Sequence, residues 1–543
     1  MLQKLQNKPI VGIILLVLCM LGFHLDTLQI SIMEARNFIT AREMITDNNW
    51  LLTTMNGEAR YQKPPLPSWI CACFAILFGI KNIIAYRLPA IIFIAITGVY
   101  SYLISKQLTN CKMQSMHTAL ILLTSFYIIG IAFEAPSDII THGFMLIGIY
   151  QLFILFQNNT NYLKHSLIAG FFIGCSILSK GPVSFYVLLL PFLLAYGFSF
   201  KYKFNKRLVF SFLLCLVIAL IIGGSWYLYV RIYDAQTFTA IAERETGNWT
   251  SYNVRPFYYY WSFFTQSGIW TIPAFIGLLY PYLKRKVSNL KAYKFSFYWT
   301  IFAVILLSII PEKKSRYLMP VLIPLAINTG FYIDYLIRHF KNLKDKRETI
   351  PVYFNFTLIA LIALAFPVVA YLFLKAQLNG FWLWYILASL ISLALGLGIL
   401  FQLKKKNINH VFEFTILFFV SLLIVALPLQ DAFASDNFRP ISELKSKLDS
   451  QHIKVYGFNY VSPEMIWEYG DKILPIKSGG AYQFPKEKKF GMLADAINAE
   501  DRDFIETLYH IEEVETFDLN EMGLDSRSYN DRLRNHFYML TKY

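Results

Sequence analysis

The sequence predicts an α-helical protein that crosses a membrane many times and ends in a small soluble α/β domain. Of its 543 residues 56% are hydrophobic and 17% aromatic, and mean hydropathy is +0.44. Apolar runs long enough to span a bilayer recur from the N-terminus to about residue 428. From about residue 430 the chain becomes polar, with short apolar runs between helical patterns, which is typical of a small α/β domain.

Fourteen apolar segments follow one another along the chain. They are 9–25, 66–80, 83–105, 117–134, 138–157, 163–179, 181–200, 208–231, 262–283, 293–311, 316–338, 351–374, 380–402 and 411–428. We expect segment 66–80 to be an interfacial or re-entrant helix, because it is short and begins just after Pro64 and Pro65. That leaves thirteen predicted spans, the first of them a retained anchor.

The distribution of Lys and Arg predicts the orientation of these spans. Basic clusters follow every second segment, counted from 83–105: Lys106/Lys112, Lys201/Lys203/Lys206/Arg207, Lys284/Arg285/Lys286/Lys291, Arg338/Lys341/Lys344/Lys346/Arg347 and Lys404/Lys405/Lys406. Together with Lys4 and Lys8 they predict a cytoplasmic N-terminus and an extracytoplasmic C-terminus. The net charge of +15 then faces the anionic inner leaflet, which argues against a nucleic-acid partner.

The same pattern predicts two domains. Residues 1–429 form a transmembrane domain, in which 26–82 is an extracytoplasmic loop with a juxtamembrane helix, and residues 430–543 form an extracytoplasmic α/β domain. All six cysteines lie in or beside apolar runs of the first 215 residues, without zinc-site spacing, so no disulfide framework is expected. The C-terminal part shows no catalytic motif, and an accessory or packing role is expected for it.

The loop behind the first span reads EARNFITAREMITDNNWLLTTMNGEARYQKPPLPSW, and its first half predicts an amphipathic helix on the membrane surface. At 100° per residue Phe38 and Ile45 share an arc, and Arg36 and Glu43 lie opposite. Glu34 falls on the apolar arc, pointing towards the protein body. Either it complements the helix N-terminus, or it is a carboxylate in a partly apolar cavity, with a pKa raised towards that of a working base.

Ionisable residues beside the apolar segments fall mainly in the loops of one face. Any one of them could be a snorkelling side chain or a loop ion pair, but charges close to hydrocarbon are usually retained for function. Cations and a carboxylate at a membrane face suit the transfer of a sugar from a polyprenyl phosphate. Lys and Arg would stabilise the departing phosphate, and a carboxylate would deprotonate the attacking hydroxyl. No P-loop is present, which fits a lipid-linked donor.

Several motifs at these positions resemble those of a known family. They are MEARNFITAREM after the first span, GEARYQKP, Arg87-Leu88-Pro89, Asp138, Ser179-Lys180-Gly181-Pro182 and PEKKSRYLMPVLIPLA. With them the chain resembles the polyprenyl-phosphate-sugar-dependent glycosyltransferases of the C-type membrane fold. The most similar branch contains the aminoarabinose–lipid A transferases, which are related to the protein O-mannosyltransferases.

The resemblance implies inverting transfer from an undecaprenyl-phosphate-linked sugar to lipid A, another glycolipid or a protein, at the outer face of the cytoplasmic (inner) membrane. It implies that Glu34, supported by Asp138, activates the acceptor and that Arg36 orients the acidic group. The donor phosphate would be held by Lys63, Arg87, Lys180, Lys314 and Arg316, with Tyr317 packed on the lipid or hydrogen-bonded to it. Of these cations, Lys63 and Arg316 are favoured.

Two departures from the family pattern bear on the chemistry. Met33 replaces the Asp of an Asp-Glu pair, which leaves open whether Glu34 serves as base, Asp138 takes over, or activity is altered or absent. Gln62 replaces a Glu before Lys-Pro, which disfavours a bound divalent metal, and no other cofactor is expected. A lipid-linked-sugar flippase or a non-catalytic envelope assembly protein are the alternative functions.

Overall fold

The computed structural model describes residues 7–157, 161–203, 205–433, 435 and 437–543, so Lys4 lies outside the described residues. In this part the α-helices are α1 Pro9–Leu21, α2 Ile32–Thr46, α3 Leu66–Phe78, α4 Ile83–Thr109, α5 Lys112–Leu123, α6 Phe126–Glu134, α7 Pro136–Gln157, α8 Tyr162–Lys180, α9 Leu190–Phe200, α10 Lys206–Tyr233, α11 Ala235–Ser251, α12 Thr271–Gly277, α13 Tyr280–Leu283, α14 Leu290–Ile309, α15 Leu322–His339, α16 Lys346–Leu374, α17 Trp382–Lys404, α18 Ile408–Ser421, α19 Leu444–Asp449, α20 Pro463–Tyr469 and α21 Ala499–Glu506. The strands are β1 Thr54–Met55, β2 Glu58–Ala59, β3 Val455–Gly457, β4 Lys477–Ser478, β5 Ala481–Tyr482, β6 Lys489–Ala494, β7 Tyr509–Asp518 and β8 Arg534–Lys542.

The predicted polytopic helical fold is confirmed, with fewer long spans than the sequence predicts. Within the described ranges nine helical stretches are long and apolar enough to cross a bilayer, and α5 with α6 passes the same test as one bent pair. The other predicted spans are shorter or interrupted: α1 has 13 residues, Phe185–Leu189 is a π-helical turn before α9, and 263–283 is divided among a 3₁₀-helix, α12 and α13. Helix α3 also has 13 residues, which rise only about 20 Å.

Three of the loops with basic clusters meet at one end of the bundle, where Asn289 after α13 donates to the Leu108 carbonyl near the end of α4 over 3.1 Å. Gln107 at the end of α4 donates to Gln157 at the end of α7 over 2.8 Å. Lys286 after α13 pairs with Glu348 at the start of α16 over 2.7 Å. Because a long helix carries the chain from one end of the bundle to the other, the start of α7 with Asp138 lies at the opposite end.

Helix α2 differs from the surface helix that its sequence predicts. Its first turn is stabilised by a capping box, in which Ser31 and Glu34 each accept a hydrogen bond from the other's backbone N–H. Both of its faces are buried, including the polar side chains of Arg42 and Glu43. The membrane helices cover one side and the C-terminal part covers the other, where Phe38 packs among residues of the sheet and of α20.

The C-terminal part contains the predicted α/β structure. Its sheet has the order β3-β6-β8-β7, with β3 parallel to β6 and the other pairs antiparallel. One face of the sheet, with Leu493 and Phe537, shares a core with α2 and α3. The other face, with Met492 and Leu540, packs against Ile505 of α21. The sheet therefore lies directly against the loop that carries several candidate residues.

Candidate functional site

The loop after α2 is shaped by a buried carboxylate. Glu43 accepts hydrogen bonds from the Thr54 hydroxyl at 2.6 Å and from the backbone N–H groups of Asn56 at 2.6 Å and Gly57 at 3.2 Å. Asn56 and Gly57 both have positive φ, as the Asn-Gly turn of a tight hairpin requires. The hairpin β1–β2 thereby returns the chain along α2 and leads to Lys63.

Arg60 fastens the end of this hairpin to α2. Its Nη1 donates to the Arg36 carbonyl and to the Thr40 hydroxyl, each at 2.7 Å. Next to it, the Tyr61 hydroxyl donates to Asp234 at 2.9 Å. Burial, together with the charge of Arg36, lowers the pKa of Arg60 to about 10. No carboxylate contacts Arg60 within the described ranges, so its positive charge is uncompensated by direct pairing.

Asp138 and Lys180 form a buried ion pair at the ends of two neighbouring helices. Asp138 lies in the first turn of α7 and Lys180 is the last residue of α8; the Nζ–Oδ1 distance is 2.6 Å. Only 3% of the Asp138 side chain and 11% of the Lys180 side chain are exposed. Gly181, with φ of +70°, lets the chain turn directly after Lys180. The Lys180 ammonium also lies 5.3 Å from the centre of the Tyr317 ring.

Lys63 joins this group without a partner of its own. Burial lowers the pKa of Lys63 well below its ordinary value, and nearby Lys180 lowers it further. Arg60 and Arg316 act in the same direction, and Asp138 alone opposes them. The half-buried side chain makes no hydrogen bond or ion pair with any residue that the structure describes. The charges nearest to the Lys63 side chain are thus mainly positive.

The segment before α15 brings two more cations to the same place. Lys314 pairs with Glu312 over 2.6 Å, and the Tyr317 hydroxyl donates to Glu312 over 3.3 Å. The Nε of Arg316 is buried without a hydrogen-bond partner, as is the Nε of Arg36. Lys314 is therefore neutralised locally, whereas Arg316 is not.

Charge at this end of the bundle is strongly unbalanced. Among the described residues, Asp138 is the one carboxylate in direct contact with a group of five cationic side chains: Arg36, Arg60, Lys63, Lys180 and Arg316. Beside them is a polar cavity of about 10 Å³, about the size of one water molecule. Its lining includes Lys63, Ser137 and Ser179. An anion with several acceptor oxygens, such as a phosphate, would satisfy these donors.

Glu34 and Arg87 form a separate ion pair. Arg87 donates from Nε and Nη2 to the two carboxylate oxygens of Glu34, at 2.8 and 3.1 Å. Its remaining N–H groups donate to the carbonyls of Leu25, Leu28 and Gln29, so all five are used. Glu34 is fully buried, and burial raises the pKa of its carboxyl while Arg87 opposes that rise. Across the described residues, neither side chain is bonded to Asp138 or Lys63.

Nothing in this region gathers the usual ligands of a metal ion. Among the residues that the structure describes, no three His, Cys, Asp or Glu side chains are close enough to hold one. Gln62 is half-buried beside Lys63. Metal dependence therefore stays a prediction from the sequence.

This chain is similar to several known proteins. Residues 62–227, which contain Lys63, Asp138 and Lys180, match the family model of dolichyl-phosphate-mannose-protein mannosyltransferase. An uncharacterized protein of Aquifex aeolicus (strain VF5) is 25% identical over 80% of this chain and 81% of its own length. The undecaprenyl phosphate-alpha-4-amino-4-deoxy-L-arabinose arabinosyl transferase of Wigglesworthia glossinidia brevipalpis is 25% identical over 59% of this chain. That match spans 56% of the transferase.

A solved structure decides the fold. The crystal structure of ArnT from Cupriavidus metallidurans bound to undecaprenyl phosphate superposes with a TM-score of 0.67 and 15% identity, over 99% of this chain and 97% of that one. The chain has the ArnT fold. The predicted resemblance to the C-type glycosyltransferases is thereby confirmed, from the membrane helices through the C-terminal sheet.

Within this ArnT-like fold, the sequence predicted most of the cations of the site but not the residues that hold their loop in place. The sequence singled out Lys63, Lys180 and Arg316, and the structure brings them together. It gave no role to Glu43, although the Asn-Gly turn that Glu43 holds is readable as a hairpin signal. It also gave no phosphate-binding role to Arg60, although Arg60 lies in the GEARYQKP motif.

Proposed function

We propose that this protein transfers a sugar from a polyprenyl-phosphate-linked donor to a glycolipid or protein acceptor, with inversion at the anomeric carbon. The surplus of unpaired positive charge around Asp138 is the observation that carries the proposal, because a phosphate on a lipid tail supplies the missing anion at the level of the bilayer surface. The ArnT fold and the match to mannosyltransferases that use a lipid-phosphate-linked sugar support it.

We assign the donor phosphate to Lys63, Lys180 and Arg316. Each has an ammonium or guanidinium close to the others, and two of the three have no carboxylate partner. As the bond between the sugar and the phosphate breaks, these cations would stabilise the charge that develops on the leaving oxygen. Lys314, already paired with Glu312, would contribute from the rim, and Tyr317 would pack against the lipid.

Arg87 was expected to bind the phosphate too, but its surroundings favour another role. All five of its N–H groups are engaged with Glu34 and with carbonyls of the loop before α2, so it has no donor to offer. We propose that Arg87 and Glu34 together hold that loop in place. Arg36 remains our candidate for orienting the acceptor, because its Nε is buried and unpartnered.

We propose Asp138 as the general base. The acceptor oxygen would attack the anomeric carbon, its proton would pass to the carboxylate, and the polyprenyl phosphate would leave with the bonding electron pair. Asp138 pairs with Lys180 of the cation group and its neighbour Ser137 lines the polar cavity, whereas both oxygens of Glu34 are occupied by Arg87. A base role of Glu34 stays a prediction that the experiments below separate from that of Asp138.

We further propose that the site opens at the outer face of the cytoplasmic membrane. The gathering of basic loops at the opposite end of the bundle supports this orientation under the positive-inside rule. The N-terminus would be cytoplasmic, the domain of residues 1–429 would carry the outer loop 26–82, and the domain 430–543 would be extracytoplasmic. In a cysteine-free background, Lys81→Cys should react with a membrane-impermeant maleimide in whole cells, and Lys405→Cys should not.

Turnover by the purified, reconstituted protein tests the activity itself. With an undecaprenyl-phosphate-linked sugar and extracted envelope glycolipids or proteins, we expect sugar-bearing products detectable by mass spectrometry. Lys63→Ala and Arg316→Ala should lose this activity, whereas Lys81→Ala, an exposed cation in the loop between α3 and α4, should keep it. Comparing the envelopes of cells with and without the gene would identify the acceptor.

Two outcomes would refute transfer. If the donor crosses the membrane of a proteoliposome without forming product, the protein is a flippase. If neither transport nor product appears, and Lys63→Ala changes nothing in the cell envelope, the protein is a non-catalytic assembly factor.

A further inference from the structure

A buried histidine, His142, lies close to the Asp138–Lys180 ion pair, and the proposed sugar transfer gives it no role. His142 follows Asp138 by one turn of α7, so that both side chains lie on the same face of the helix. Only 3% of His142 is exposed, and Ser184 is fully buried. The His142 Nδ1 and the Ser184 hydroxyl are 2.5 Å apart and share a hydrogen bond.

The His142–Ser184 hydrogen bond and the Asp138–Lys180 ion pair both join α7 to the short segment 180–184. Ser184 follows Lys180 by four residues, just after the turn at Gly181. Asp138 thus contacts the start of the turn, and His142 contacts its end. Within the described ranges, no other side-chain hydrogen bond joins the turn 181–184 to α7. One turn before Lys180, Ser176 donates to the Thr141 carbonyl of α7 over 2.8 Å, so α7 holds the chain before the turn through Ser176 and after it through His142.

The position of the backbone at the end of α8, next to the turn at Gly181, limits where the Lys180 ammonium can reach. A long lysine side chain tolerates small shifts of its backbone, but a larger displacement of the end of α8 would move the Lys180 ammonium out of its 2.6 Å contact with Asp138. The same backbone position sets the Lys180 ammonium over the Tyr317 ring at 5.3 Å. After Ser184 the chain enters the π-helical turn Phe185–Leu189, an irregular element of the backbone.

We propose that His142 is a positioning residue, which through Ser184 holds the turn after α8 and so aligns Lys180 with Asp138 and with the donor phosphate. The alignment of the phosphate rests on the proposed function; the alignment of Lys180 with Asp138 does not. His142 touches neither phosphate nor sugar in this arrangement, and its effect passes entirely through Lys180.

Three substitutions distinguish this role from simple core packing. His142→Asn places an amide near the position of Nδ1 and can share a hydrogen bond with Ser184 in either direction. His142→Gln reaches instead towards the position of Nε2, and His142→Ala removes the bond. We expect His142→Asn to retain most of the affinity for undecaprenyl phosphate. We expect His142→Ala and His142→Gln to weaken it about tenfold, the effect of losing about one hydrogen bond.

A double-mutant cycle tests whether His142 acts through Lys180. The dissociation constant of undecaprenyl phosphate is measured for the wild type, His142→Ala, Lys180→Ala and the double variant. If the proposal holds, the double variant binds no more weakly than Lys180→Ala. Effects of the two substitutions that simply add in free energy would overturn it, as would equal losses in His142→Asn and His142→Ala.

A second measurement needs no donor and therefore separates this inference from the proposed function. Reductive methylation of Lys180 in the folded protein, followed by peptide mass spectrometry, reports how firmly its ammonium is held. We expect the rate to rise several-fold in His142→Ala but not in His142→Asn, with Lys286 at the opposite end of the bundle as an unchanged control. An unchanged rate at Lys180 would overturn the proposal, even if the protein proves to be a transferase.

Discussion

Replacing Lys63 by Met should weaken donor binding while stabilising the fold. Lys63 is a cation placed among Lys180, Arg60 and Arg316, with only Asp138 to offset them. Removing its charge removes one charge-assisted hydrogen bond to the donor phosphate, about 1.5 to 3 kcal/mol. The dissociation constant for undecaprenyl phosphate should therefore rise about 10- to 150-fold.

The stability of the protein without donor should change in the opposite direction. Because burial and the neighbouring cations lower the pKa of Lys63, the folded protein releases this proton at a lower pH than the unfolded chain does. Between the lowered pKa and about 10.5, unfolding takes up a proton, so the free energy of unfolding increases with pH by up to about 1.4 kcal/mol per unit. Below that window the protonated Lys63 destabilises the fold, and Lys63→Met removes this cost.

Thermal melting in detergent, with and without undecaprenyl phosphate, measures both effects. The variant should melt at a higher temperature than the wild type at neutral pH, and undecaprenyl phosphate should raise its melting temperature less. Lys81→Met, which removes an exposed cation from the loop between α3 and α4, should change neither quantity. A variant that melts lower than the wild type, or one that the donor stabilises as strongly, would contradict the charge surplus on which the assignment depends.

Three further predictions follow from the ion pairs and the anchors. Asp138→Asn should reduce kcat at least 100-fold, measured as sugar transfer, because an amide cannot accept the acceptor proton; a change in KM alone would contradict the base role. Glu34→Ala should leave Arg87 buried and unpaired and lower the free energy of unfolding by about 3 to 5 kcal/mol in denaturant titrations. Arg42→Ala should loosen the C-terminal part from α2, because Arg42 donates to the carbonyls of Ile466 and Trp467, each at 3.1 Å. Protease should then release the C-terminal fragment faster than in the wild type, and an unchanged rate would argue against this anchor.

Much of the fold could be predicted from the sequence, because hydrocarbon imposes simple requirements on a chain. Long apolar helices such as α10 and α16 satisfy their own backbone hydrogen bonds, and their length and hydropathy identify them. The segment 263–283 shows where this reasoning is limited. Its apolar composition predicts one span, but Gly268, with φ of +64°, and Pro273 accompany its division into three short helices. Composition records how apolar a segment is and not whether its backbone is continuous.

The surroundings of α2 were less predictable, since they depend on residues that are far away in the sequence. Read as an isolated helix, α2 has a polar side and therefore a surface location. In the folded protein that side is covered, because Arg42 finds the carbonyls at the end of α20 and Asn56 exchanges two 2.7 Å hydrogen bonds with the backbone of Ile473. A polar face is compatible with burial when its partners are supplied by another domain.

For the site, the sequence by itself determined which charges are present and that their loops alternate along the chain with apolar spans. Those facts, together with the resemblance to the C-type glycosyltransferases, led to Lys63, Lys180, Arg316 and Asp138. The tertiary structure alone decided which of the charges are compensated. Arg87 and Glu34 neutralise each other over 2.8 Å, whereas Lys63 has no hydrogen-bond or ion-pair partner among the described residues, and no motif distinguishes the two cases. The reason is physical: the free energy of a buried charge depends on the few groups that touch it, and in this protein folding brings those groups together from distant helices.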